Sequence, residues 1–252
     1  SVTKLITAAV VLDKFKPNHT FSTRTLMRGV RLGAVIQGDL VLVGDGDPFL
    51  ISEKLWQFAA DLRNMGITKI TGDIVIDNAK FADPIRDASR LDREARSVNA
   101  YDAPISAFGV NFNTFAVAIA PGDKSGSPAR VNIDPYSISG IAIESSIKTA
   151  SSGHKSNVQI MRGSGTNKAA KLTATGAIAH DDTIRKLYRS VGDPVTASGE
   201  IVRSFLAAEG ISVAGKVKLG RVDRGDKELL AIESYPMHFI VQGLNKFSNN
   251  FI

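Results

Sequence analysis

Cysteine is absent from the 252 residues. That excludes disulfides, thiolate nucleophiles and cysteine-ligated metals, and it leaves the redox compartment open. Long hydrophobic runs are missing too. The longest, Leu5–Leu12, falls far short of the ~20 residues that span a bilayer. It carries neither the basic flank nor the small-residue cleavage site of a secretory signal. Runs of one charge are also lacking. The 31 Lys and Arg against 25 Asp and Glu leave a net charge of +6, but the basic residues are scattered. Aromatic residues are only 7% of the chain and do not interleave with them, so nucleic acid is not an expected partner. The mild positive excess describes a solvated surface, and it also suits a polyanionic setting such as a cell wall. His19, His154, His180 and His238 show no zinc spacing.

What is present has a clear order. Leu5–Phe15 reads as a buried helix, with Ser1 at its cap or first turn. From Phe21 short β-like runs follow, and a turn is expected at Gln37-Gly38-Asp39 before LVLV. Ser52–Met65 is an amphipathic helix with Leu55, Phe58, Ala59, Leu62 and Met65 on one face and Gly66 as its stop. ITKITGDIVIDN continues as strand. The same helix-Gly-strand order recurs at Glu200–Glu209, Gly210 and ISVAGKVKLGRV, which predicts two small α+β subdomains. The stretch from Ala82 to Asn99 reads as a polar surface excursion. Asn111–Ala120 reads as a strand, and Pro121–Pro128 as a Gly/Ser/Pro turn. The final stretch is helical again, with Met237, Ile240, Val241, Leu244, Phe247 and Phe251 at helical spacing and Pro236 suited to a first turn.

The chemistry begins with SVTK. On a helix, positions i and i+3 share a face. A serine hydroxyl is a poor nucleophile near neutrality and needs a base within hydrogen-bond reach. A lysine amine serves as that base where apolar surroundings favour its neutral form. Ser145–Lys148 and Ser152–Lys155 match the same spacing, but in polar, turn-like sequence. Ser248-Asn249-Asn250 is a Ser-x-Asn match of the kind that relays protons and holds amides in penicillin-binding acyl-transfer sites; Ser97-Val98-Asn99 is another. Asp45, Asp47, Asp73 and Asp77 raise a hard-metal alternative, although GDGDP and TGDIVID are turn and strand-end settings. GDGDP is no phosphate loop, since no GK[ST] follows. The charges of the polar excursion, Asp83, Arg86, Asp87, Arg90, Arg93 and Arg96, read as solvated, with contact to a peptide substrate as the alternative.

Taken together and in order, SVTKLITAA, GDLVLVGDGDP, ITGDIVIDNAKF, AYDAPISAFGVNFN, GISVAGKV and LNKFSNNFI resemble the D-alanyl-D-alanine carboxypeptidase/endopeptidase family, the low-molecular-mass class C penicillin-binding proteins. The resemblance covers essentially the whole chain. It implies an α+β fold: helical remnants of a penicillin-binding/β-lactamase-like catalytic domain at both ends, with a β-rich two-part insertion between. The expected pieces are 1–23 and 232–252 for the catalytic domain, 24–46 and 147–231 for one insertion subdomain, and 47–146 for a second, nested one. It implies that Ser1 is the acylated nucleophile, Lys4 its general base, Ser248 a proton relay to the leaving amine and Asn250 the residue that holds substrate and lysine. Peptidoglycan stem peptides are the implied substrates, β-lactams the implied inhibitors, and no cofactor is implied. A periplasmic or wall-associated location follows, with peripheral membrane association compatible and the export signal expected upstream.

One element of the family pattern is missing. Its Lys-Thr-Gly strand should follow Ser-x-Asn, and Lys148-Thr149-Ala150 precedes it and ends in alanine. The chain is therefore expected to be incomplete for catalysis by itself. Two further readings stay open at this level. One is an N-terminal-nucleophile hydrolase using Ser1, whose nucleophile usually sits on a strand. The other is a non-catalytic envelope scaffold or binding module.

Overall fold

The computed structural model describes residues 2–81, 99–163 and 170–252. The chain forms two compact units, one of Ser1–Ile85, Pro104–Asn113 and Pro194–Ile252, the other of Arg86–Ala103 and Thr114–Asp193. The boundary expected after residue 146 falls inside the second unit, because the strand Lys148–Ala150 pairs there with Ala177–Ala179. The Ala82–Asn99 excursion, apart from Asn99, lies outside the described residues.

The first unit is built on one sheet. β1 (Ser22–Leu32) and β2 (Val35–Val43) pair antiparallel as a hairpin. Its turn falls after Leu32, at Gly33 with φ +59°, and not at Gln37–Asp39. Gly38 is a ladder residue opposite Gly29. A Cβ on Gly38 would lie 1.9 Å from the Arg28 carbonyl oxygen, so glycine is there for close strand approach. β3 (Lys69–Ile70) and β4 (Ile74–Asp77) run parallel to β2. β13 (Ser212–Val213) and β14 (Val217–Gly220) run parallel to β3 and β4 in turn. β15 (Lys227–Glu233) closes the other edge against β1; strands β5 to β12 belong to the second unit. The two helix-Gly-strand modules thus form adjacent steps of one sheet and not two subdomains.

The reason is a repeated step. Gly38-Asp39, Gly72-Asp73 and Gly215-Lys216 stack across three neighbouring strand positions. Gly72 N–H donates to the Gly38 carbonyl and Gly215 N–H to the Gly72 carbonyl, each at 2.8 Å. Asp39 Oδ1 accepts from Asp73 N–H and Asp73 Oδ1 from Lys216 N–H, again at 2.8 Å. The Lys218 ammonium, 2.6 Å from Asp73, holds that carboxyl below its ordinary range. Asp73 is therefore a structural carboxylate, bonded to its neighbour strand.

Two helices cover this sheet. α2 (Ser52–Asn64) buries Leu55, Phe58, Ala59 and Leu62, and Gly66 at φ +83° lets the chain leave it. α3 (Pro194–Ala208) starts earlier than the expected Glu200, with proline at its first position. Its first half turns small residues, Ala197, Ser198 and Gly199, inward. Those carry no large-apolar periodicity, so only Ile201, Val202, Phe205 and Leu206 were visible as a helical face. Burying each such side chain stabilises by about 1.5–3 kcal/mol.

The unit closes on α1 (Val2–Phe15) and α4 (Met237–Phe247). Backbone bonds tie the end of α1 to the start of α4: Met237 N–H to the His19 carbonyl at 2.8 Å and His238 N–H to the Pro17 carbonyl at 3.0 Å. Ala8 packs with Met237, Ile240 and Val241, and Val11, Leu12 and Phe21 surround them. The helices therefore run antiparallel, which brings the start of α1 to the end of α4. α1 is less buried than its composition predicts: Ala8 alone is buried, and Val2, Leu5, Ile6 and Val10 are each at least 60% exposed.

The second unit is β-rich. β5 (Thr114–Ala120) pairs antiparallel with β6 (Arg130–Asp134) and β12 (Arg185–Ser190). β10 (Ala170–Thr175) lies between β7 (Ile141–Ser145) and β9 (Gln159–Arg162). β8 (Lys148–Ala150) pairs parallel with β11 (Ala177–Ala179). Phe115, Val117, Ile119, Ile147, Leu172 and Ile178 supply its buried apolar side chains.

Candidate active site

Lys4 is on the face of α1 that meets α4, one turn before the buried Ala8. At the other end of that contact α4 stops at Phe247, and Ser248 takes a left-handed conformation with φ 49° and ψ 34°. Serine there is strained, since glycine or asparagine usually fills such a cap. The conformation reverses the chain and turns three successive residues toward one amine. Lys4 Nζ donates to the Ser248 carbonyl at 2.5 Å, the Asn249 carbonyl at 3.0 Å and Asn250 Oδ1 at 3.0 Å. The Ser248 hydroxyl is 3.3 Å from the same nitrogen. The negative end of the α4 dipole adds to the attraction.

Lys4, Ser248 and Asn250 are thus brought together from positions 244 to 246 residues apart in sequence. Ser1 lies outside the described residues. Val2 begins α1 directly after it, in place of the strand that an N-terminal nucleophile usually occupies. Ser97 of the alternative Ser-x-Asn match is outside the described residues as well. Asn249, not singled out from sequence, has two roles here: its carbonyl accepts from Lys4, and its Oδ1 accepts from Phe251 N–H at 2.7 Å, closing the loop on itself.

The rival motifs have structural uses. Lys148-Thr149-Ala150 is strand β8, and the buried Thr149 hydroxyl accepts from Gly122 N–H at 2.8 Å. Ser145 Oγ accepts from Ile147 N–H in a turn, far from the geometry of a helix face. Asp45 accepts from Ser22 N–H and pairs with Lys80. Asp77 accepts from Ala79 and Val222 N–H. These carboxylates hold backbone, each in its own place. Asp83, Arg86, Asp87, Arg90, Arg93 and Arg96 lie outside the described residues.

Beside the constellation is a mostly apolar pocket of about 240 Å³, lined by Thr7 and Val11 of α1, Ile240 and Leu244 of α4, Phe81 and Phe251. Asp47 of the GDGDP loop also lines it. Its Oδ1 accepts from Phe49 N–H at 2.8 Å, while the buried Oδ2 has no partner. Burial, the largest influence, pushes this carboxyl up to about 6.

Comparison with known proteins identifies the family. The family described as "D-Ala-D-Ala carboxypeptidase 3 (S13) family" matches residues 1–252. The chain is 32% identical to a D-alanyl-D-alanine carboxypeptidase of Actinomadura sp. (strain R39), over 98% of this chain and 46% of the relative. It is 23% identical to the D-alanyl-D-alanine carboxypeptidase DacB of Haemophilus influenzae, over 99% of this chain and 51% of the relative. The fold resembles the crystal structure of penicillin binding protein 4 (dacB) from Haemophilus influenzae, with TM-score 0.73 and 23% identity over 100% of this chain and 54% of that one. The chain therefore spans about half the length of the relatives it matches.

Proposed function

The chain belongs to the D-Ala-D-Ala carboxypeptidase 3 (S13) family, and from that premise we propose that the whole protein hydrolyses the D-Ala-D-Ala end, or a D-Ala-containing crosslink, of peptidoglycan peptides through an acyl-enzyme on Ser1. The observation that carries this reading is the Lys4 amine held among Ser248, Asn249 and Asn250. In the reaction Lys4 acts as the neutral amine, which keeps two N–H groups for its acceptors and has a lone pair free: Ser1 Oγ attacks the scissile carbonyl and its proton passes to that lone pair. The developing oxyanion needs backbone N–H donors. The Ser248 hydroxyl, 3.3 Å from Lys4 Nζ, gives a proton to the departing amine and is refilled from Lys4. Asn250 orients the substrate amide while its Oδ1 fixes Lys4. Water then hydrolyses the ester, with Lys4 again as base, and Ser1 is regenerated.

Penicillins would acylate Ser1 by the same route, since opening of the strained lactam replaces amide cleavage. The exposed apolar side of α1, with relatives of about twice this length, supports the reading that further catalytic-domain sequence packs there. The role of residues 1–23 and 232–252 as pieces of that domain belongs to the same proposal. The reading implies work outside the cytoplasmic membrane. Among the described residues no helix is long and apolar enough to cross one.

The test is labelling of the full-length protein with a fluorescent penicillin, followed by peptide mapping. Label on Ser1, lost in Ser1→Ala and accompanied by D-alanine release from a D-Ala-D-Ala peptide, is the expected result. An unlabelled protein, or label at another serine, refutes the assignment.

A further inference from the structure

Three consecutive non-glycine residues, Asn111, Phe112 and Asn113, have φ of 51°, 60° and 51°. A left-handed turn is costly for any side chain and most of all for a bulky one, so it persists only where its surroundings over-determine it. The surroundings do so. Asn111 Oδ1 accepts from Ser52 N–H at 2.9 Å, capping α2 where no side chain of the helix does so. The fully buried Asn113 donates through Nδ2 to the Pro104 carbonyl at 2.7 Å and to Ser106 Oγ at 2.9 Å. The outcome of fixing both asparagines is the placement of the ring between them.

Phe112 packs edge-on against Phe251, with centroids 6.1 Å apart at 84°, and against Phe49 at 5.4 Å and 80°. Phe251 directly follows Asn250. Its ring tip meets Gly109, where a Cβ would lie 3.0 Å from Phe251 Cζ and 2.8 Å from Asn113 Oδ1. Phe49 reaches Tyr235 and Phe239, at 6.0 and 5.9 Å, which flank the start of α4. Gly243 of α4 makes room for it, since a Cβ there would be 2.6 Å from Phe49 Cζ. A chain of rings thus grips α4 at its first turn and again just past the loop that holds Lys4.

We propose that Gly109–Asn113 is a socket for Phe251, and that Phe112 is a positioning residue which seats the Ser248–Asn250 loop on Lys4. The inference rests on the acyl-enzyme reading of the site. It adds that catalytic alignment depends on a strained turn remote in sequence from every proposed catalytic residue.

The test compares Phe112→Asn, Phe112→Tyr and wild type in the full-length protein, by stopped-flow acylation with labelled penicillin and by urea unfolding. Asparagine tolerates the left-handed backbone, so Phe112→Asn removes the ring without opposing the turn. The acylation rate at saturation is expected to fall on the order of a hundredfold, as for a small misplacement of reacting groups. Half-saturating penicillin should hold, the unfolding midpoint should fall by the lost ring contacts, the rate loss should persist where the variant is still fully folded, and Phe112→Tyr should recover the rate. A second variant, Gly109→Ala, crowds both the Asn113 amide that fixes the turn and the tip of the Phe251 ring, and should slow acylation likewise. Wild-type rates in Phe112→Asn and Gly109→Ala overturn the socket, as does a loss that only tracks a lowered unfolding midpoint. A wild-type protein that takes no label overturns the acyl-enzyme reading itself, and the socket with it.

Discussion

Asp47 offers a test of the energetics beside the site. The residue is 4% exposed, and its carboxyl is raised from 3.8 to about 6 by burial, against the pull of Phe49 N–H and Lys54 and with help from Asp45 and Glu233. The folded chain therefore holds this proton more tightly than the unfolded chain does. The resulting stability is fully present below about pH 4, declines as pH rises through 6, and is gone above it. The span of about 2 pH units, at about 1.4 kcal/mol each, sets a ceiling near 3 kcal/mol. Asp47→Asn keeps the Oδ1 acceptor for Phe49 and removes the charge. It also leaves an amide donor without a partner in an apolar setting, which costs about 1–2 kcal/mol. The variant should be about 1–2 kcal/mol more stable than wild type at pH 8, and that advantage should vanish or reverse at pH 4.5. Urea unfolding at both pH values, followed by circular dichroism, reads the difference directly. If wild type and variant lose the same stability between pH 4.5 and 8, the carboxyl is not forced into an unfavourable ionisation and the argument fails.

Ser248→Gly separates shape from chemistry: glycine relaxes the left-handed cap at φ 49°, so thermal denaturation should show a gain of up to about 1 kcal/mol, while D-alanine release collapses for want of the hydroxyl. A gain in stability with unchanged turnover would remove Ser248 from the proton path. Gly199→Ala places a Cβ 2.4 Å from Val217 Cγ1 and should cost about 1–3 kcal/mol by forcing α3 off the sheet; an unchanged urea midpoint would contradict the close helix–strand contact. Gly33→Asn, at the hairpin turn with φ +59° and open space around it, should change stability by no more than about 1 kcal/mol, whereas Gly38→Asn should unfold the hairpin region, as hydrogen exchange on β1 and β2 would report.

Much of this protein is legible in its sequence where the governing forces are local. Spacing alone puts Leu55, Phe58, Ala59 and Leu62 on one helical face and Lys4 on the same face of α1 as Ala8, because 3.6 residues per turn is a property of the backbone itself. Gly66 and Gly210 mark helix ends because they leave in the left-handed region, φ +83° and +76°. The start of α3 was not legible, since its inward residues are small and their apolar contact is with a strand distant in sequence. Nor was the use of Gly38: a glycine beside aspartate signals a turn locally, and only the facing Gly29 makes it a ladder residue. The parallel steps of the sheet depend on pairings between residues more than thirty positions apart, for which no short pattern exists. The same holds for the site. Residue types and motif order determined which chemistry was available, but the meeting of Lys4 with Ser248 and Asn250 needed antiparallel packing of the first and last helices. The left-handed turn at Asn111–Asn113 is the clearest case, because three successive side chains in this strained backbone are not chosen by local preference and need bonds, such as those to Leu50, Ser52, Pro104 and Ser106, that the folded chain supplies.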